Sequence, residues 1–128
     1  MKKILILILT LLPFTLLGQH LKCCESTKEV ESHLSGIWKL KSNSKLLFEY
    51  TFENDKGHLT EMQESDQKGE YIVLDDHAFV EVIAYEQGFQ LKYTGLSGSS
   101  TVELKYLNST RMILVADYKE VEFIKVSE

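Results

Sequence analysis

Proline is almost absent from this chain: Pro13 is the only one in 128 residues. It lies in the N-terminal apolar run, so residues 19–128 hold none. That excludes polyproline linkers and collagen-like repeats. Cysteine is equally scarce, with Cys23 and Cys24 side by side and no third. One adjacent pair cannot build a framework of disulfide staples. Adjacent α-carbons sit ~3.8 Å apart, closer than the usual disulfide range, so a bridge between them would be strained. Two free thiols or an intermolecular bridge are the expected states. Lipidation is disfavoured, because Lys22 precedes Cys23 where small residues are wanted. Two neighbours also offer too few ligands for a soft-metal clip.

Positive charge is in deficit. Lysine and arginine number 14 against 19 acidic residues, a formal charge of −5. Met1-Lys2-Lys3, then the apolar run Ile4 to Leu17, then Gly18 have the layout of a secretory signal peptide. The run is short for a membrane span, which needs ~20 residues. Residues 1–18 are therefore expected to be a leader, and the protein periplasmic or extracellular. Loss of Lys2 and Lys3 takes the charge to −7. Such a surface repels nucleic acid and anionic headgroups, so neither is expected as a partner. No second apolar run is long enough to span a membrane.

Catalytic patterns are missing too. His20, His33, His58 and His77 are scattered without metal-type spacing. No serine sits in a G-x-S-x-G context. Gly95-Leu96-Ser97-Gly98 lacks the following helix of a phosphate loop. Asp75-Asp76 and Asn108-Ser109-Thr110 read as turns. The expectation is no enzyme, no metal and no cofactor.

What remains is one domain's worth of chain, expected as a linker and short helix over 19–35 and a β domain over 36–128. Glu25 to Leu34 reads as the helix. Ser26 and Glu29 have capping-box spacing, and Val30 and Leu34 share a face. Gly36 can supply the positive φ that ends it. From Ile37 onward the period is two. Strands are expected from Ile37, then over 45–53, 58–63, 70–74, 77–85, 89–94, 100–107, 110–117 and 119–126. Asn54-Asp55-Lys56-Gly57 reads as a turn with Gly57 left-handed. Nine short strands at hairpin spacing imply an antiparallel meander that closes into a barrel or folds into two sheets.

The short helix, then Gly36-Ile37-Trp38, then the meander resembles the lipocalin-like (calycin) superfamily, in particular the small exported lipocalin-like domains of the Bacteroidota. The resemblance covers residues 25–126. It implies an all-β, lipocalin-like barrel of eight to nine strands with the helix closing one end. It also implies that Trp38 packs over that end beneath a basic side chain from a late strand. Arg111 is the first candidate for that cation and Lys125 the second.

If the barrel closes, Phe48, Tyr50 and Phe52 point inward. So do Phe89, Leu91 and Tyr93, and then Val102, Leu104 and Tyr106. With Lys125 reaching inward, these would line a pocket for a small hydrophobic molecule held non-covalently. The alternative is a packed core, with an interaction or inhibitor module binding another protein through its loops or outer face. The strand 77–85 is apolar on both faces, which weakly supports a homodimer.

Overall fold

The computed structural model describes residues 21–54, 56–67 and 69–127, so the expected leader over 1–18 lies outside them. Among the described residues, no helix is long and apolar enough to cross a membrane. Among the described residues the helix is α1 (Thr27–Leu34), which starts at the capping box. Ser26 Oγ accepts from the Glu29 N–H at 3.2 Å. The Glu29 carboxylate reaches back to accept from the Glu25 N–H at 3.3 Å. One donor of the first turn and one just ahead of the cap are thereby satisfied. At the other end the Ser35 N–H donates to Glu31 O at 3.0 Å, and Gly36, at φ 128°, swings the chain away.

Eight strands follow: β1 (Gly36–Leu40), β2 (Asn43–Glu53), β3 (Lys56–Glu64), β4 (Tyr71–Tyr85), β5 (Gly88–Gly95), β6 (Gly98–Leu107), β7 (Arg111–Ala116) and β8 (Lys119–Ser127). Each pairs antiparallel with the next, and β8 returns to β1 to close the barrel. The fold is the all-β, helix-capped meander barrel expected, with eight strands. The ninth disappears because 70–74 and 77–85 belong to one strand. Asp75 and Asp76 do not turn the chain; they lie inside β4, where the Asp75 carboxylate accepts from the His77 N–H at 2.9 Å. Register shifts around Glu61 on β3 absorb the local irregularity while the ladder continues.

Turn chemistry differs from expectation at one glycine. Asn54, not Gly57, takes the left-handed conformation, at φ 53°. Gly57 is inside β3, and its bareness has another cause. A Cβ there would lie 2.2 Å from Val80 O and 2.6 Å from Phe52 Cε1. The wall closes over this position. The β7–β8 link is a two-residue turn, with Asp117 at φ 51° and Tyr118 at φ 65°. Two successive positive φ angles match the right-handed twist of the flanking strands.

The core runs from the helix into the barrel. Val30 and Leu34 are fully buried against Trp38, with Leu91, Leu104 and Met112 beyond. Trp38 is locked by two polar contacts. Its Nε1–H donates to Leu34 O at 2.8 Å. Lys125, on β8, sits with Nζ 5.0 Å from the centre of the Trp38 ring and donates to His33 O at 2.8 Å. Both carbonyls belong to the last turn of α1, whose C-terminal oxygens lack helical donors. The covering cation is therefore Lys125 and not Arg111. Arg111 lies on the outer wall, where its Nε donates to Glu122 at 2.5 Å and its guanidinium covers Tyr106 at 5.2 Å. The reason is register: Met112 takes the inward position on β7, which leaves Arg111 outside.

Trp38→Ala should cost roughly 3–5 kcal/mol, because it empties a fully buried site. Lys125→Met, which keeps the aliphatic stem, should cost only about 0.5–2 kcal/mol. Urea unfolding followed by circular dichroism measures both. Equal losses would mean that the cation, not indole packing, holds the closed end.

Candidate functional site

The meander puts alternate hairpins at opposite ends. α1 packs against β2, β4 and β6 and covers one end. At the other end lie the β1–β2, β3–β4, β5–β6 and β7–β8 links. Between the ends stands the inner wall that the sequence marked for a ligand.

Most of the marked residues are where alternation puts them. Tyr50, Phe89, Leu91 and Leu104 are buried in the core. Phe48, Phe52, Tyr93 and Val102 are half-buried and pack against it. Phe48 meets Phe123 edge to face at 5.4 Å. Tyr106 is the exception. A bulge between Leu104 and Tyr106 inserts Lys105 and shifts the register by one. Leu107 then turns inward and is buried, while Tyr106 turns outward, 36% exposed, under Arg111 and bonded to Asn108. Lys125 is at the closed end, engaged with Trp38 and the helix, not in a ligand chamber. The sequence reading missed Val80, Val82, Met112, Leu114 and Phe123 as core. The alternation of β4 does carry Val80 and Val82, opposite the exposed Phe79.

One polar feature lies inside. The Tyr50 and Tyr93 hydroxyls are 2.8 Å apart, and either can donate. Burial pushes the Tyr50 phenol up to about 12, although the Tyr93 hydrogen bond pulls the other way. Tyr93 is raised well above the ordinary phenol value, first by burial, then by the charge and hydrogen bond of Tyr50. The pair thus satisfies itself without a ligand.

Two cavities lie away from this pair, and a smaller one of 130 Å³ touches Phe89 and Leu104. One of 390 Å³ sits outside the wall, between Leu21–Cys23, His33 and the β6–β7 link. Another, of 290 Å³, sits between the β2–β3 turn and Phe79. Tyr50, Leu91, Tyr93 and Val102 line neither of them. Cys23 and Cys24 are bridged to each other, where the sequence pointed to free thiols or an intermolecular bridge. Cys24 is buried, and its Sγ lies 3.7 Å from His33 Nδ1.

The outer surface carries the least conventional feature. β4 pairs with β3 from Tyr71 to Val80, but with β5 only from Phe79 onward. Tyr71–Ala78 therefore has a partner strand on one side only. On this overhang Tyr71, Ile72, Val73 and Leu74 are each about half exposed, at 46%, 55%, 55% and 49%. Over Tyr71–Leu74 both faces of the overhang are apolar at once. The overhang continues through Asp75, Asp76 and His77, all exposed, with the Asp75 and Asp76 carboxylate oxygens 3.5 and 3.2 Å from His77 Nδ1.

Removing either inner hydroxyl should strand the other. Tyr50→Phe and Tyr93→Phe should each cost about 1–3 kcal/mol, and the double variant less than the sum. The pH profile carries the same signature. Tyr50 ionises at the ordinary value of 10.0 when unfolded and at about 12 in the fold. Above the lower value the unfolded state binds fewer protons, so stability holds to about pH 10 and then falls until about pH 12. Chemical unfolding across that range, with Tyr50→Phe for comparison, measures it. No family model, curated protein or solved structure matches this chain, so its residues alone carry the functional reading.

Proposed function

We propose that this protein is an exported, non-enzymatic interaction module of lipocalin-like architecture, taking an extended segment of a partner protein along the free edge of β4. The observation that carries the reading is the half-paired Tyr71–Ala78 overhang, whose Tyr71–Leu74 stretch is apolar on both faces. An unpaired edge offers main-chain donors and acceptors, and side-chain pockets on alternate faces add selectivity. Eight residues give about 25 Å of docking edge. The bridged Cys23–Cys24 pair supports an oxidising compartment.

The occupant follows from charge. Glu64 and Glu70 flank one end of the apolar stretch, Asp75 and Asp76 the other. The antiparallel register that lays Tyr71–Leu74 of two copies on each other sets Glu70 against Asp75 twice. Like charges opposed in this way destabilise a ladder. A β-prone segment with basic flanks avoids the clash, so a different protein fits the edge better than a second copy.

A peptide of alternating valine and threonine with lysine ends is a direct probe. Titrated into isotope-labelled protein, it should shift the amide signals of residues 71–78 and leave α1 unchanged. Ile72→Lys with Val73→Lys, one on each face, should weaken it at least tenfold with little change in unfolding midpoint. Shifts spread evenly over the barrel, or binding unaffected by the paired substitution, would remove the edge as the site. A concentration-dependent doubling of mass without peptide would instead favour the homodimer.

One observation favours a second reading, capture of a small amphipathic molecule within the barrel. Phe48, Tyr93 and Val102 face inward yet stay half-buried, beside a phenol pair able to bind a polar head group. On this reading a medium-chain fatty acid raises the unfolding midpoint, and Tyr93→Phe reduces the gain. Native mass spectrometry of the gently purified protein should then show one retained small molecule per chain. An empty barrel that no fatty acid stabilises leaves the edge reading alone.

A further inference from the structure

The N-terminal segment brings together three soft ligands. Cys23 and Cys24 precede α1, and His33 stands in its last turn. The chain turns there, the Cys24 N–H donating to Leu21 O at 3.3 Å, so Leu21 and Cys24 are buried against the closed end. One ligand atom from each of Cys23, Cys24 and His33 lies within 4.8 Å of the others. The Cys24 sulfur is 3.7 Å from His33 Nδ1. Cys23 and His33 also line the 390 Å³ cavity, so the cluster has a door to solvent.

The cavity's chemistry narrows the occupant. Its other lining residues are Leu21, Lys22, Lys105, Tyr106, Leu107, Asn108 and Ser109, with no carboxylate among them. Calcium and magnesium require oxygen-rich shells, which this lining does not provide. Two sulfurs and an imidazole select a thiophilic ion such as Zn(II) or Cu(I). Three protein ligands leave one tetrahedral position open toward the cavity.

We propose that Cys23, Cys24 and His33 form a redox-gated site for a thiophilic metal ion, closed by the disulfide and opened by a dithiol. In the opening step a dithiol reductant passes two electrons to the Cys23–Cys24 bond. The reductant leaves as a cyclic disulfide, and both cysteines become thiols. A divalent ion then binds both sulfurs as thiolates and releases two protons to solvent. His33 supplies its Nδ1 lone pair. That nitrogen now faces Glu29 O at 3.0 Å, as an N–H donor would. Binding therefore moves the ring proton to Nε2 and releases the carbonyl contact.

Oxidation closes the site by consuming two of its three ligands in one bond. The barrel need not move, because none of the three ligands lies on a strand. The pair would then report the thiol–disulfide state of its surroundings as metal held or metal released.

Anaerobic titration of Co(II), with dithiothreitol used for reduction and then removed, tests this. The reduced protein should develop sulfur-to-Co(II) charge-transfer absorption that saturates at one ion per chain. The oxidised protein should develop none. His33→Ala should weaken Co(II) at least tenfold, and Cys23→Ser should abolish the band. Circular dichroism and Trp38 fluorescence confirm that each variant stays folded; Cys23 is preferred to the buried Cys24 for that reason. Equal binding by oxidised and reduced protein would overturn the proposal. So would saturation at one ion per two chains, full affinity in His33→Ala, or loss of the barrel on reduction.

Discussion

The rest of the structure depends on how one indole is held between the helix and the closing strand. Trp38 stands in the middle of the first strand, and Lys125 is its register partner on the last. Both donate to carbonyls in the final turn of α1, and the lysine also covers the indole face. A barrel without cross-links must bring its first and last strands together across nearly the whole chain, a closure with a large entropic term. The arrangement ties α1 and the nearby Trp38 to Lys125, which is 92 residues beyond its partner His33. It uses carbonyls that a helix C-terminus leaves free, so Leu34 O and His33 O both find donors.

Much of this fold was legible in the sequence, because its two strongest signals are local. The capping box at Ser26 and Glu29 marks the helix start, and period-two alternation marks the strands. What alternation cannot carry is a change of phase. The bulge at Lys105 moves Tyr106 outside and Leu107 inside, and no residue type at 104–107 announces it. Arg111 was misplaced for a related reason. Its neighbour Met112 is as apolar as the core demands, and the pairing of β7 with β8 decides which of the two faces inward. Asp75-Asp76 carries turn chemistry, but β3 pairs through it and continues the strand. Gly57 is a similar case, since close approach of Val80 and Phe52 explains it better than any turn.

The candidate site was legible only in its inner wall. Alternation placed Tyr50, Leu91 and Leu104 facing one another, yet it could not say whether they would leave space between them. Packing decides that question, and here the interior takes up large side chains. Trp38 and Tyr50 are almost fully buried, and Tyr50 finds its partner in Tyr93. A small barrel has little interior to share between a core and a chamber. Large aromatic residues that stabilise closure therefore reduce the room for a ligand.

The same geometry explains why unusual chemistry is left on the outside and at the ends. Once the strands close, the ladder is satisfied everywhere except where two neighbours differ in length. β4 has 15 residues and β5 has eight, so part of β4 must project past its partner. Proteins usually blunt such an edge with charge, and Asp75 and Asp76 do so at one end of the overhang. Tyr71–Leu74 are not blunted. Four half-exposed apolar residues on a strand paired on one side only lower solubility and add nothing to the core. Their presence is explained if the edge is covered in use. Closure at one end and overhang at the other are thus separate consequences of a single meander, one supplying stability and the other leaving a surface free to bind.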